Sequence, residues 1–548
     1  MSKLIYPTVS LFLYDLRDGL GQSPAEINEN RLNFWCKISP EIDREYQEIR
    51  ELTKKLLLQK DQSVQPLTPE ATALKTKIDK KFEKLEEKLQ ELEAKEDSET
   101  EFVELHYQGF ADQEAYLDGM YFAIQIGDTY ALQVEASDGT SKDDPAQRDD
   151  IPRSLDQLAR LQELVISKVN HHQSTNVDTK KLATLGQTWL VWGKATDGKT
   201  TPEKLREIAE NCFPNLTPDK NWKPDFKEVG ELAGAKVFEY SHTPRDWGNN
   251  EEKFHRENYH LVILLFTADR IDADDNTPTD EIRKRVATDL TIDLIRLFAY
   301  RHKIIWSYWN SRRLKVDLKK YSQQIAELRQ EMEEYKKRSP NPLQKGAFNQ
   351  NNAINLNELE EKLTESWLLL AEYATKLNQL HSQSHTIETN LGNYQKRIAK
   401  IENDPSFAKP KVNLQLFQKF KNTAEERYLQ QVKMDYASLG AGLTILENLT
   451  RTLDSLVNIE RIKTEQQRTA AEQERNNIIA IAGLGLATSS AFAGIVATQI
   501  YQPDNKKSDQ LVWLEGNHRL DWFFGLLVSL IIPVGIAFLI WFSSKKKR

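Results

Sequence analysis

Cysteine is almost absent: the chain of 548 residues has two, Cys36 and Cys212. They are far apart and lack CxxC spacing, so they build neither a disulfide framework nor a zinc site, and they fit a reducing compartment. An excess of positive charge is also missing. The formal net charge is −8 and the sequence pI about 5.9. No global basic surface asks for nucleic acid, and no direct nucleic-acid binding is expected. The N-terminus, MSKLIYPTVSLFLYDLRDG, lacks a long apolar run, and Pro7 and Asp15 interrupt it, so it does not read as a signal peptide. Glycine and proline are missing from Thr279 to Arg338, which predicts one helix about 90 Å long. Charge, finally, is missing from two stretches near the C-terminus, Ile478–Ile500 and Phe523–Phe542.

Those two stretches dominate the sequence. A bilayer core takes about 20 apolar residues in a helix. A helix of that length in a soluble core would show a polar stripe, and neither run has one. The runs predict transmembrane helices over 478–501 and 523–542, joined by an outside loop over 502–522; a buried hairpin in a soluble protein is the alternative. Arg468 and Arg475 precede the first run, and Lys545, Lys546, Lys547 and Arg548 follow the second in a basic tail, 543–548. Positive charge collects on the cytoplasmic side, so a multi-pass protein of the inner or plasma membrane, both termini cytoplasmic, is expected, although Lys506 and Lys507 in the loop weaken that orientation. Trp513, Trp522, Trp541 and Tyr501 stand near the run ends, where amphipathic rings prefer to sit. Membrane lipid is then a partner.

The rest is polar: 28% of residues are charged and the mean hydropathy is −0.61. Thr8–Leu16 is apolar and β-prone, and Asp18-Gly19 closes it as a turn. Glu41–Asp61 and Thr72–Lys95 are charged helices, the second with Ile78, Phe82, Leu85, Leu89 and Leu92 in a coiled-coil seam. They read as a helical hairpin inserted, at about 41–98, into an α/β domain spanning 1–300. Strands are predicted over Phe102–Tyr107, Tyr121–Ile126, Tyr130–Ala136, Thr188–Trp192, Ala235–Tyr240 and Tyr259–Phe266, alternating with helices over Ser154–Val169 and Pro202–Cys212. A long helical pair follows over 279–411, then a stalk helix over 412–477 with Gly440 and Gly442 as its weak point. The expected fold class is an α+β membrane protein with an N-terminal cytoplasmic α/β domain, long antiparallel or stalk helices, and a C-terminal two-helix transmembrane hairpin.

This layout resembles the CorA family of divalent-cation channels. His518–Phe524, Gly525 and the ending from Trp541-Phe542 to Lys545-Lys546-Lys547 look like that family's second-span entry and exit. Where the family carries Gly-Met-Asn after its first span, this chain has Tyr501-Gln502-Pro503-Asp504-Asn505, so standard magnesium selectivity is not implied. The divergent CorA-like proteins found beside type III CRISPR systems are a second resemblance, resting on layout and on Asp435–Ser490. Together they imply an oligomeric, pentameric ion channel rather than an enzyme, gated through its cytoplasmic domain, with a divalent cation and a nucleotide messenger as small molecules and anti-phage defence as the setting. Two other readings stand beside it: a non-conducting, membrane-anchored coiled-coil scaffold, and a membrane-tethered P-loop NTPase.

Candidate sites follow from residue type. In and just before the first apolar run Asn476, Gly483 and Ser490 recur every seven residues, and Asn477, Thr488 and Thr498 add uncharged polar groups. Such groups line pores, or simply let helices pack closely. Asp504, Asn505, Glu515 and Asp521 form rings at a pore mouth in an oligomer, or an ordinary solvated loop. Trp189, Trp192, Arg245, Arg256 and His260 offer stacking and pairing for a nucleotide, against core packing of the tryptophans. Gly193, Gly198, Lys199 and Thr200 match GxxxxGK[ST] after a predicted strand. However, Thr201-Pro202 starts the helix late, with Thr201 as its cap, so a turn that merely resembles the motif is preferred.

Overall fold

The computed structural model describes residues 3–19, 22–60, 69–93, 103–112, 117–138, 152–169, 182–196, 201–216, 222–224, 226–242, 250–267, 290–338, 356–404 and 412–469. The apolar N-terminal stretch forms β1 (Lys3–Leu16), buried along nearly its whole length. It is flanked on both sides. β4 (Thr129–Asp138) pairs antiparallel along one edge, and β6 (Gly186–Ala195) along the other, with the short β5 (Pro152–Ser154) joining at the start. Beyond β4 lie β3 (Leu117–Ile126) and β2 (Val103–Asp112); beyond β6 lie β9 (Tyr259–Phe266), β8 (Ala235–Ser241) and β7 (Phe226–Leu232). The order is β2-β3-β4-β1-β6-β9-β8-β7, with β6 and β9 parallel. The β3–β4 turn uses Gly127 at φ 57°, as a tight hairpin demands.

Alternation along each strand splits the apolar residues between two faces. Val9, Leu11 and Leu13 of β1 and Trp189 and Val191 of β6 face one cluster. That face is covered by α1 (Pro24–Trp35), α2 (Pro40–Lys60), α3 (Pro69–Glu93), α4 (Asp156–Val169) and α5 (Pro202–Cys212). Phe12, Tyr14, Leu190 and Trp192 face the other cluster, which contains Phe254 of α6 (Glu251–Glu257) and the long helices. α1 begins with a full capping box, Ser23 and Glu26 bonding each other's backbone.

The long helices are α7 (Thr291–Arg338) and α8 (Leu356–Asn403), of 48 residues each, and α10 (Gln430–Thr469), preceded by α9 (Gln415–Thr423) and a π-helical turn over Ala424–Leu429. At 1.5 Å per residue α7 reaches about 72 Å. Buried charge pairs fix the bundle. Asp293 of α7 takes Arg397 and Lys400 of α8 at 2.6 and 3.1 Å. Asp435 of α10 takes Arg312 and, at 2.8 Å, Lys315 of α7. Within α10, Gly442 lies against Tyr373 of α8, whose hydroxyl donates to the Leu439 carbonyl at 2.7 Å; nothing lies within 4 Å of the Cβ position of Gly440. The helix runs unbroken through both glycines.

α10 also carries a second, outward face. Met434, Ala441, Asn448, Ser455 and Ile462 recur every seven residues, and Ser438, Ile445, Thr452 and Ile459 do so four residues later. None is buried; Met434, Ile445 and Ile459 are 63%, 43% and 42% exposed. In a chain with 28% charged residues, nine positions should hold two or three charges; these hold none.

The membrane architecture is corrected. Among the described residues no helix is long and apolar enough to cross a membrane. α7 and α8 have the length, but charged residues run throughout both. The apolar runs at 478–500 and 523–542, the loop between them and the basic tail lie outside the described residues. Over the described residues the fold is mixed α/β with one large sheet and no membrane-spanning helix, in place of the expected α+β membrane protein with a transmembrane hairpin, and the multi-pass inner- or plasma-membrane location with cytoplasmic termini is not supported. The chain divides into Met1–Lys463, to which this description applies, and Thr464–Arg548.

Candidate functional site: a buried polar joint between sheet and helix

On the sheet face toward α7, one buried polar cluster joins strands of the sheet to the helix. Thr188 on β6 and His260 on the parallel strand β9 are register partners, so both side chains leave the sheet side by side. Glu239 of β8 stands diagonally beyond His260, because Ser241 pairs with His260 and Glu239 with Val262. From above, one turn of α7 lowers Arg301 and His302 onto the same spot. The contacts form a line. Glu239 Oε1 meets His260 Nε2 at 3.0 Å, His260 Nδ1 meets Thr188 Oγ1 at 2.9 Å, and Thr188 Oγ1 meets His302 Nε2 at 2.8 Å. All four side chains are at or below 1% exposure.

Around the line lies a ring of large side chains. Arg301 stands 3.8 Å from Glu239 Oε1 and over the Phe420 ring of α9, 5.0 Å from its centroid. The Tyr14 ring of β1 sits 5.2 Å from that of His302. Gly186 makes the close approach possible: a Cβ there would fall 2.3 Å from His302 Nδ1 and 2.7 Å from Asn258 Nδ2. Glu239 Oε2, Arg301 Nε and Nη1, His302 Nδ1 and the Tyr14 and Tyr394 hydroxyls have no hydrogen-bond partner among the described residues. Burial sets the protonation. It pushes the Glu239 carboxyl up to about 7 against the pull of Arg301. It holds His260 and His302 well below the usual imidazole range, with Arg301 adding to the effect. Both histidines are therefore neutral, and Glu239 is the group of the line that titrates near neutrality.

Of the sequence-derived candidates, His260 is at the centre of this cluster. Trp189 and Trp192 are both buried, but they project from opposite faces of β6, so they cannot form two walls of one stacking site. Arg256 belongs to α6, and Arg245 lies outside the described residues. Gly193 is inside β6, and the strand continues through Lys194 and Ala195, which pair with Ile5 and Leu4 of β1. Thr201 accepts the Lys204 N–H and caps α5, with Pro202 in its first turn, while Gly198, Lys199 and Thr200 lie outside the described residues. So do Asn476, Asn477, Gly483, Thr488, Ser490 and Thr498, and Asp504, Asn505, Glu515 and Asp521. Glu239, Thr188, Arg301 and His302 carried no signal in the sequence reading. One was available: Glu239 interrupts the apolar strand Val237-Phe238-Glu239-Tyr240, and a lone carboxylate there needs a buried partner.

Among the described residues no group of three or more His, Cys, Asp or Glu side chains could hold a metal ion. Two grooves of about 260 and 280 Å³ between the long helices are rich in carboxylates, and their Lys362 is already paired with Glu331 and Glu365 at 3.0 and 3.2 Å. No family model, curated protein or solved structure matches the chain.

Proposed function

We propose that the chain is a self-assembling relay protein rather than an enzyme. Its α/β domain receives a signal, its long helices carry the resulting change, and copies associate side by side through α10. The observation that carries this reading is the uncharged heptad face of α10. A seam repeating in steps of three and four residues fits a partner helix with the same repeat, and the same helix of another copy supplies it. Asn448, Thr452 and Ser455 within the seam suit a register-setting, moderately stable association. The relay half is supported by the joint, where α7 is seated on the sheet by Thr188 and His302 and then continues to Arg338. This keeps the resemblance's idea of an α/β domain acting through long helices, and it makes no use of a span or a conducting path.

The test is the mass of the purified full-length chain in solution. Ile445 and Ile459 are exposed, so replacing both with Lys leaves the fold intact while setting charges against each other across the seam. The wild-type chain should sediment as an oligomer and the double variant as a monomer. A monomeric wild type, or an oligomer that survives both lysines, refutes assembly through α10.

A further inference from the structure

The line from Glu239 to His302 has a property that its individual contacts do not show. We infer that Glu239, His260, Thr188 and His302 form a reversible hydrogen-bond chain, in which one proton gained or lost at the sheet is registered on the helix α7. This goes beyond self-assembly and holds for a single copy.

The chain admits two directions. When Glu239 is ionised its carboxylate only accepts, so His260 Nε2–H donates to it. His260 Nδ1 is then bare and accepts the Thr188 hydroxyl proton, and the Thr188 oxygen accepts from His302 Nε2–H. His302 Nδ1 carries no proton. When Glu239 is protonated on Oε1, that O–H donates to His260 Nε2 and every link reverses. His260 Nδ1–H donates to Thr188, Thr188 donates to His302 Nε2, and His302 carries its proton on Nδ1. The two states differ by one proton. Taken up at His302 Nδ1, it releases the Nε2 proton to the Thr188 oxygen, the hydroxyl proton to His260 Nδ1, and the His260 Nε2 proton to Glu239. Both imidazoles are neutral at the start and at the end.

The far end of the chain is where the state is felt. His302 Nδ1 and Asn258 Nδ2 lie 2.3 and 2.7 Å from one point, the Cβ position of Gly186. The Asn258 amide is held as a donor by its bond to the Leu185 carbonyl at 3.1 Å. No hydrogen bond joins the two, but a bare Nδ1 is attracted by the N–H dipole of that amide, whereas an Nδ1–H sets donor against donor and loosens the seat of α7. The groups facing Glu239 are His260 from β9, Arg301 from α7, Glu228 from β7 and Tyr394 from α8, and His302 faces His260. Arg301 is in turn faced by Tyr14 of β1 and Tyr428 of the π-helical turn. Among them Glu239 is pushed up to about 7 by burial.

The experiment follows the full-length chain by infrared difference spectroscopy and by hydrogen exchange of α7 between about pH 8 and about pH 6. In the wild type, a buried carboxylic-acid band should grow in with a midpoint near neutrality. Exchange protection in the first three turns of α7, corrected for the intrinsic pH dependence of exchange, should fall several-fold with the same midpoint. Glu239→Gln places an amide donor where the acid proton would be. It should abolish the band and hold α7 in its low-pH state throughout. Thr188→Val keeps the shape and removes the hydroxyl link, so the band should remain while α7 stops responding. Protection of wild-type α7 that does not change with pH overturns the proposal even if both variants fail to fold. So does a band that survives in Glu239→Gln, or a Thr188→Val chain whose α7 responds as the wild type does.

Discussion

Gly186 shows how much a single absent side chain permits. Its φ of 150° is one that L side chains rarely adopt, and its Cβ position lies 2.3 Å from His302 Nδ1. Gly186→Ala should therefore cost about 2–4 kcal/mol, from backbone strain and overpacking together, read as a lower denaturant midpoint. The same cluster shapes the pH dependence of stability. Glu239 is held at about 7 rather than 4.5, so between these values the native chain binds a proton that the unfolded chain has released, and stability falls as pH rises through that window. His260 and His302 are held below 6.5, so below that pH the unfolded chain takes up protons that the native chain refuses, and stability falls as pH drops. Two imidazoles outweigh one carboxyl on the acid side, while above about pH 7 neither the native nor the unfolded chain holds these protons. The contribution of this cluster should therefore rise up to about pH 7 and then level off, and denaturant midpoints at a series of pH values would trace it. Glu239→Gln removes the term that opposes the imidazoles and should steepen the acid-side fall; an unchanged profile would mean that Glu239 does not hold its proton in the native chain.

At the scale of the element, the two glycines of α10 separate cleanly. Nothing lies within 4 Å of a Cβ on Gly440, so Gly440→Ala should stabilise the helix by about 1 kcal/mol. A Cβ on Gly442 would fall 2.3 Å from the hydroxyl of Tyr373, a buried ring whose hydroxyl is already bonded to Leu439. Gly442→Ala should destabilise by about 1–3 kcal/mol, and calorimetry on the two single variants would show opposite signs. The sequence marks both positions alike, because a glycine in a helix looks the same whether it faces solvent or a tyrosine. Other elements were legible. Pro202–Cys212 and Tyr259–Phe266 have the predicted limits, since a Thr-Pro start and an unbroken apolar run are local signals. α1 is marked by Ser23-Pro24 followed by Glu26. β7 has no such local mark: Phe226–Leu232 has little apolar periodicity and is defined by pairing with β8.

At the scale of the molecule, local patterns indicate strands beside helices, but not which strand lies where. The position of β1 between β4 and β6 depends on pairings more than a hundred residues apart, and the polar joint depends on three strands and a helix meeting. His260 could be noticed in the sequence; its partners could not. The same arrangement governs how the protein is made. Among the described strands, β1 is the first to leave the ribosome and needs distant partners: β4 begins at Thr129, β6 at Gly186, and β9, which closes the far side of β6, at Tyr259. At 5–20 residues per second, an apolar β1 waits about 15–55 s before its edges are paired and α7, which covers its second face, begins to appear, a long exposure to aggregation and to chaperones. Nascent chains arrested near about residue 200 should lose β1 to brief proteolysis, and those arrested beyond about residue 440 should keep it. Protection of β1 at the shorter length would mean that β1 and β4 close a stable unit without the helices. β1 is thus made long before the helices that cover it, so slower translation lengthens the time an apolar strand stays uncovered.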